Sequence, residues 1–166
     1  MVHKDIRYPL LTNKIRRGLK NHTFGMVRDG GTKAHQGWDL YASIGTPCFA
    51  VGDGEVVAAR VSGTFGNVVD IRLDTKINSE PIFARYAHLN SFIVKLHQTV
   101  KKSELIGYTG KTGSPAKGMT GEDLHLHFEL MRIAEPGFAQ TGLSQRYNPA
   151  DIYGCTPLNS AVTETL

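Results

Sequence analysis

The stretch EDLHLHFELM, residues 122–131, decides how this chain is read. Its side chains alternate apolar and polar at a period of two, the pattern of a strand with one face in a core. Leu124, Leu126, Phe128 and Leu130 then share one face, and His125, His127 and Glu129 share the other. Two imidazoles on one rigid strand face can converge on a single point. An amphipathic strand with its polar face in water carries the same pattern, so the decision rests on the rest of the chain.

Working outward, short apolar runs separated by turn residues recur from Gly37 onward. GWDLYA is followed by the IGTP turn, CFAVG and GEVVAARV. GNVVDIRLD sets Asn67, Val69, Ile71 and Leu73 against Val68, Asp70, Arg72 and Asp74, which predicts a half-buried antiparallel strand. PIFARYAHL predicts a strand ending at His88, and ELIGYTG a short strand ending at Gly110. Residues 111–123 read as a loop rich in Gly and Ser, and YNPADIYG as a turn into one short helical turn. Closely spaced strands with few short helices define a mostly β, single domain whose antiparallel sheets form a groove. The expected organisation is an N-terminal segment over 1–23, a domain over 24–153 and a tail over 154–166.

The 166 residues suffice for one domain with a real core. The net charge of +4 and pI near 9.1 suit nucleic acid, anionic lipid or an acidic polymer such as a bacterial cell wall, and no recognised nucleic-acid-binding motif accompanies the charge. Lys14, Arg16, Arg17 and Lys20 cluster near the start and read as a solvated helical face or tail. Cys48 lies in an apolar strand and reads as a core residue; pairing with Cys155 requires an oxidising compartment. No run is long enough to span a membrane, and the opening residues lack the apolar region of a secretory leader. The plain expectation is a cytoplasmic protein, and one exported by a route other than the general secretory one would look the same.

Metal-competent residues stand beside several of these strands. His35 and Asp39 lie in AHQGWDL, His88 in RYAHL, and His125 with His127 in the opening stretch. A catalytic zinc site takes three N or O ligands and keeps a position for water. His35, Asp39 and one of the paired histidines can form such a set. The remaining histidines can then move protons or stabilise developing charge. The helical H-E-x-x-H motif is absent. A cupin reading of HLHFE places Glu129 two residues too early and leaves His35 and Asp39 unexplained.

Taken in order, these blocks resemble the lysostaphin and LytM-type zinc endopeptidases of bacterial cell-wall metabolism, from about Phe24 to Tyr153. AHQGWDLYASIGTPCFAVGDGEVV is similar to that family's H-x-G-x-D opening and its continuation. GTFGNVVDIRL, YAHL, HLHFEL and NPADIY resemble its later blocks. The resemblance implies that His35, Asp39 and His127 bind Zn2+, and that His88 and His125 form the catalytic pair. It implies hydrolysis of peptide cross-links of peptidoglycan by a zinc-activated water. The departures are a longer approach loop, TGSPAKGMTGEDLHLH, expected to border the substrate groove, and Trp38 at a position where a branched aliphatic residue is common. His97 and Lys102 stand where glycines are common. His3, His22 and His97 have no motif support and read as surface residues.

The function expected from the resemblance is that of a peptidoglycan endopeptidase. The absent secretory leader adds a further expectation: an antibacterial effector or lysin, made in the cytoplasm and delivered to the periplasm or cell wall by a route other than the general secretory one, with an immunity protein as partner in the case of an effector. The alternative is a non-catalytic wall-binding or regulatory module of the same fold.

Overall fold

A computed structural model of the chain describes residues 3–134 and 142–166. Its strands are β1 (Thr12–Asn13), β2 (Gly25–Arg28), β3 (Lys33–His35), β4 (Trp38–Tyr41), β5 (Pro47–Phe49), β6 (Gly54–Ser62) and β7 (Gly66–Leu73). They continue as β8 (Phe83–Phe92), β9 (Thr99–Val100), β10 (Leu105–Thr109), β11 (His125–Met131), β12 (Arg146–Tyr147) and β13 (Val162–Thr163). The helix α1 covers Pro149–Tyr153. The main sheet runs β12-β11-β8-β7-β6-β9, with β4 also on β11 and β10 bridging β5 and β8. Its pairings are antiparallel, as the mostly β reading expected.

The local chemistry explains the ends of these elements. Asn148 accepts a hydrogen bond from the Ala150 N–H at 3.0 Å, Pro149 opens α1, and Gly154 closes it at φ 82°. His97 and Ser103 adopt φ of 70° and 75° in the turns flanking β9. One of the positions expected to substitute for glycine, His97, therefore does hold a left-handed backbone; at the other, the left-handed residue is the neighbour of Lys102.

The polar faces of two strands are not open to water. Every residue of β11 is buried. In β7, Val68 and Asp70 are buried along with Val69 and Ile71, and only Arg72 is exposed. Asp70 sits inside because it accepts two hydrogen bonds from Arg85, at 2.8 and 2.7 Å. That fork satisfies the carboxylate where water cannot. The half-buried reading of β7 is therefore too exposed, because alternation cannot reveal a buried ion pair.

The first residues also join the core. Ile6, Tyr8, Leu10 and Ile15 are buried. Tyr8 stacks on Tyr153 at a centroid distance of 4.2 Å, and Trp38, fully buried, stacks on Tyr153 at 5.6 Å. Trp38 is thus core and not groove wall. β1 pairs with β13, tying the two ends of the chain together. Cys48 is buried, Cys155 is exposed, and neither is in a disulfide.

Candidate metal centre

Three sequence blocks meet at the junction of β3, β4 and β11. Asp39 and His127 are direct cross-strand partners in the β4–β11 ladder, so their side chains share a face. His35 ends β3 and is turned onto the same point by the Gln36-Gly37 link. Gly37 is required there, because a Cβ at this position would strike the Phe128 carbonyl. The ligand atoms of His35, Asp39 and His127 all lie within 4.8 Å of one another, and all three residues are buried. Asp39 Oδ1 is 3.1 Å from His35 Nε2 and 2.9 Å from His127 Nδ1.

The surroundings fix which nitrogen of each ring is free. His35 Nδ1 lies 2.8 Å from the Thr23 carbonyl, which can only accept, so Nε2 keeps its lone pair for the centre. His127 Nε2 lies 2.8 Å from Glu129 Oε1, and Glu129 also accepts from Arg146 Nε at 3.1 Å. His127 therefore presents Nδ1. These outer contacts are the kind that orient metal-binding imidazoles. Two nitrogen donors and one carboxylate, preoriented on one point, fit a catalytic zinc centre.

Electrostatics agree with that arrangement. Burial works to raise the Asp39 pKa, but the neighbouring His35 and His125 and hydrogen bonds from His127 and His22 outweigh it and hold the carboxyl well below its usual range. Burial disfavours charge on His127, yet its hydrogen bonds to Asp39 and Glu129 prevail and lift its pKa to about 9.

His88 and His125 stand beside this cluster. The β7–β8 register shifts between Asn67 and Val69, so Ala87 and His88 face the single residue Val68. This bulge, with His88 at φ 60°, turns its ring into the cleft, 5.9 Å from the His127 ring. His88 Nδ1 donates to the Thr112 carbonyl at 2.8 Å, and His125 Nδ1 donates to the Asp123 carbonyl at 2.8 Å. Both rings therefore present a bare Nε2. Their centroids are 5.3 Å apart, nearly perpendicular. Burial lowers the pKa of both, that of His88 to about 3. Each is therefore neutral at pH 7.

The five residues singled out from the sequence are brought together. Three others were missed. His22, expected at the surface, is buried, with Nδ1 3.2 Å from Asp39 Oδ2. Arg28 donates to the same oxygen at 2.8 Å. The basic cluster read as a solvated face sends Arg16 into the wall, with Nη1 3.2 Å from His125 Nδ1. All belong to irregular or short elements where periodicity is silent. His97 is exposed, as expected. The cleft has a volume of about 820 Å3, and Pro115 and Met119 of the long approach loop border it, as expected.

This arrangement of strands and histidines defines a metallopeptidase-type centre, and comparison with known proteins gives the family. Residues 33–141 match Peptidase family M23, and the chain belongs to it. It is similar to peptidoglycan DD-endopeptidase ShyC of Vibrio cholerae, 38% identical over 102 residues, covering 61% of this chain and 21% of ShyC. The chain spans about a fifth of the length of such curated relatives. Solved structures resemble it as well. A zinc-containing peptidase from Vibrio cholerae is 31% identical with a TM-score of 0.52, covering 78% of this chain and 34% of that one. The catalytic domain of lysostaphin from Staphylococcus simulans is 28% identical with a TM-score of 0.57, covering 78% and 84% respectively.

Proposed function

We propose that this chain is a zinc-dependent endopeptidase that hydrolyses peptide cross-links of bacterial peptidoglycan. The observation that carries the reading is the convergence of His35 Nε2, Asp39 Oδ1 and His127 Nδ1 beside two neutral histidines in one cleft. Those three atoms hold the metal on this reading. Zinc, when bound, supplies an electrophile that polarises a carbonyl and acidifies water toward a pKa of about 7. The two similar proteins named above as a peptidoglycan DD-endopeptidase and a zinc-containing peptidase support both substrate class and metal.

The chain's own residues supply the proton chemistry. His88 and His125 each have Nδ1 committed to a backbone carbonyl, so Nε2 is the reactive atom. A neutral Nε2 accepts the proton of the attacking water. The imidazolium so formed donates to the oxyanion or to the departing amide nitrogen. Asp39 stays ionised throughout, because four imidazoles and Arg28 surround it. The preferred bond is D-alanyl to diaminopimelate, ahead of an oligoglycine bridge. The place of action is then the periplasm or cell wall.

Digestion of defined peptidoglycan by the wild type and by His127→Ala, with mass spectrometry and metal analysis, tests this. New amine termini and about one zinc per chain in the wild type, both lost in the variant, are expected. Bound zinc without cleavage of any wall type makes the chain a binding module instead.

A further inference from the structure

Arg16 lines the cleft, and the hydrolytic chemistry above leaves it without a task. Its side chain is only 13% exposed, yet its guanidinium is poorly matched. Among the described residues, its buried Nε has no hydrogen-bond partner. Nη1 faces His125 Nδ1 at 3.2 Å, but that nitrogen already donates to Asp123, so the contact sets donor against donor. The other neighbour of Nη1 is the Met119 sulfur at 3.7 Å, a weak acceptor. Nη2 stands 3.8 Å from Asp123 Oδ1, an oxygen that Arg17 Nε holds at 2.6 Å.

The backbone is shaped to keep it there. Arg17 adopts φ 55°, a costly conformation for a side-chain-bearing residue, which separates the directions of Arg16 and Arg17. Arg17 clamps Asp123 and Glu122 of the approach loop on the outside, and Arg16 turns into the cleft. Ile15, fully buried, and the Tyr41 N–H to Lys14 carbonyl bond at 2.8 Å anchor the segment to β4. A nearly buried, underused guanidinium is costly unless something satisfies it. Its planar fork matches a carboxylate, and it lies one imidazole ring beyond the reacting centre.

We propose that Arg16 is a specificity-determining residue that binds a free carboxylate on the residue contributing the scissile nitrogen. The proposal rests on the endopeptidase reading and deepens it. An oligoglycine bridge carries no carboxylate at that carbon. A D-alanyl bond to the D-centre of a diamino diacid does. Arg16 thereby selects anionic cross-links over neutral ones.

The test uses two cross-linked peptides identical except for a carboxylate or a carboxamide on the carbon that bears the scissile nitrogen. Zinc-loaded wild type, Arg16→Gln and Arg16→Lys are compared by kcat/KM, and by calorimetric binding of the same pair. The wild type is expected to prefer the carboxylate ten- to hundredfold, mainly through KM. Arg16→Gln should bring that ratio close to one, and Arg16→Lys should restore part of it. A merely structural Arg16 would depress both substrates in parallel and leave the ratio intact, which overturns the proposal. Equal handling of both peptides by the wild type overturns it too, and does not require the variants to fold. Carboxylate-selective binding without cleavage of either peptide sustains Arg16 while sinking the endopeptidase reading.

Discussion

At the scale of single residues, His127 is where folding and metal binding compete. Its pKa near 9 means that the metal-free site holds a proton on the nitrogen that faces Asp39. A metal must displace it. Apparent zinc affinity should therefore rise about tenfold per pH unit between pH 6.5 and 8.5 and level off near 9. Chelator competition across that range checks this, and a flat profile refutes it. In the metal-free protein the sign reverses. A raised folded-state pKa gives stability that is fully present below about 6.5 and is lost as pH rises through about 9. Glu129 maintains the arrangement from behind, so Glu129→Gln, which keeps the shape and removes the charge, should weaken zinc binding 10- to 100-fold. The five site residues were legible because each lies in a short block whose order and spacing resemble those of the family; strand phase alone placed only His125 and His127 on one face. Glu129 was visible on the right face, but its partner Arg146 comes from β12, and no local pattern announces that pairing.

At the scale of elements, two local irregularities do the aiming. The β8 bulge turns His88 into the cleft, where a regular strand would not offer it beside His127. His88→Ala should keep zinc at about one per chain yet lower kcat by roughly 10²- to 10⁴-fold. Loss of zinc in that variant would instead make His88 part of the metal's support. Gly37 allows β3 to turn onto β4 against the Phe128 carbonyl. Gly37→Ala should cost about 3 kcal/mol by overpacking and displace His35, seen as a lower denaturation midpoint together with weakened zinc binding. The sequence showed His88 at a strand end, and the strand in fact continues to Phe92 through the bulge. Apolar alternation reports which face is buried, but it does not report an extra residue inserted into the ladder. For the same reason the polar face of β7 looked wet, and that of β11 was left open between water and a site. The Asp70–Arg85 and Glu129–Arg146 pairs that fill them join residues distant in sequence.

At the scale of the whole molecule, the site is completed by the first residues of the chain, which lie outside the span matching the family. Their pattern was too weak to assign because they follow the surface of the sheet without a repeating period. Ile6, Tyr8, Leu10 and Ile15 nevertheless enter the core, and His22 and Arg16 reach the cleft. Burying one large apolar side chain contributes about 1.5–3 kcal/mol. Four such residues amount to roughly 6–12 kcal/mol, comparable with the 5–15 kcal/mol that separates a typical domain from its unfolded state. A chain beginning at Phe24 should therefore be unable to hold the native fold at 37 °C, although it retains His35, Asp39, His88, His125 and His127. Thermal unfolding followed by circular dichroism, with zinc content measured alongside, decides the matter. A cooperative transition within a few degrees of the full chain's would show that the segment is a removable cover. A broad or absent transition would make it an integral layer of the domain, and the mixed parentage of the cleft, part family motif and part leading segment, a condition of its folding.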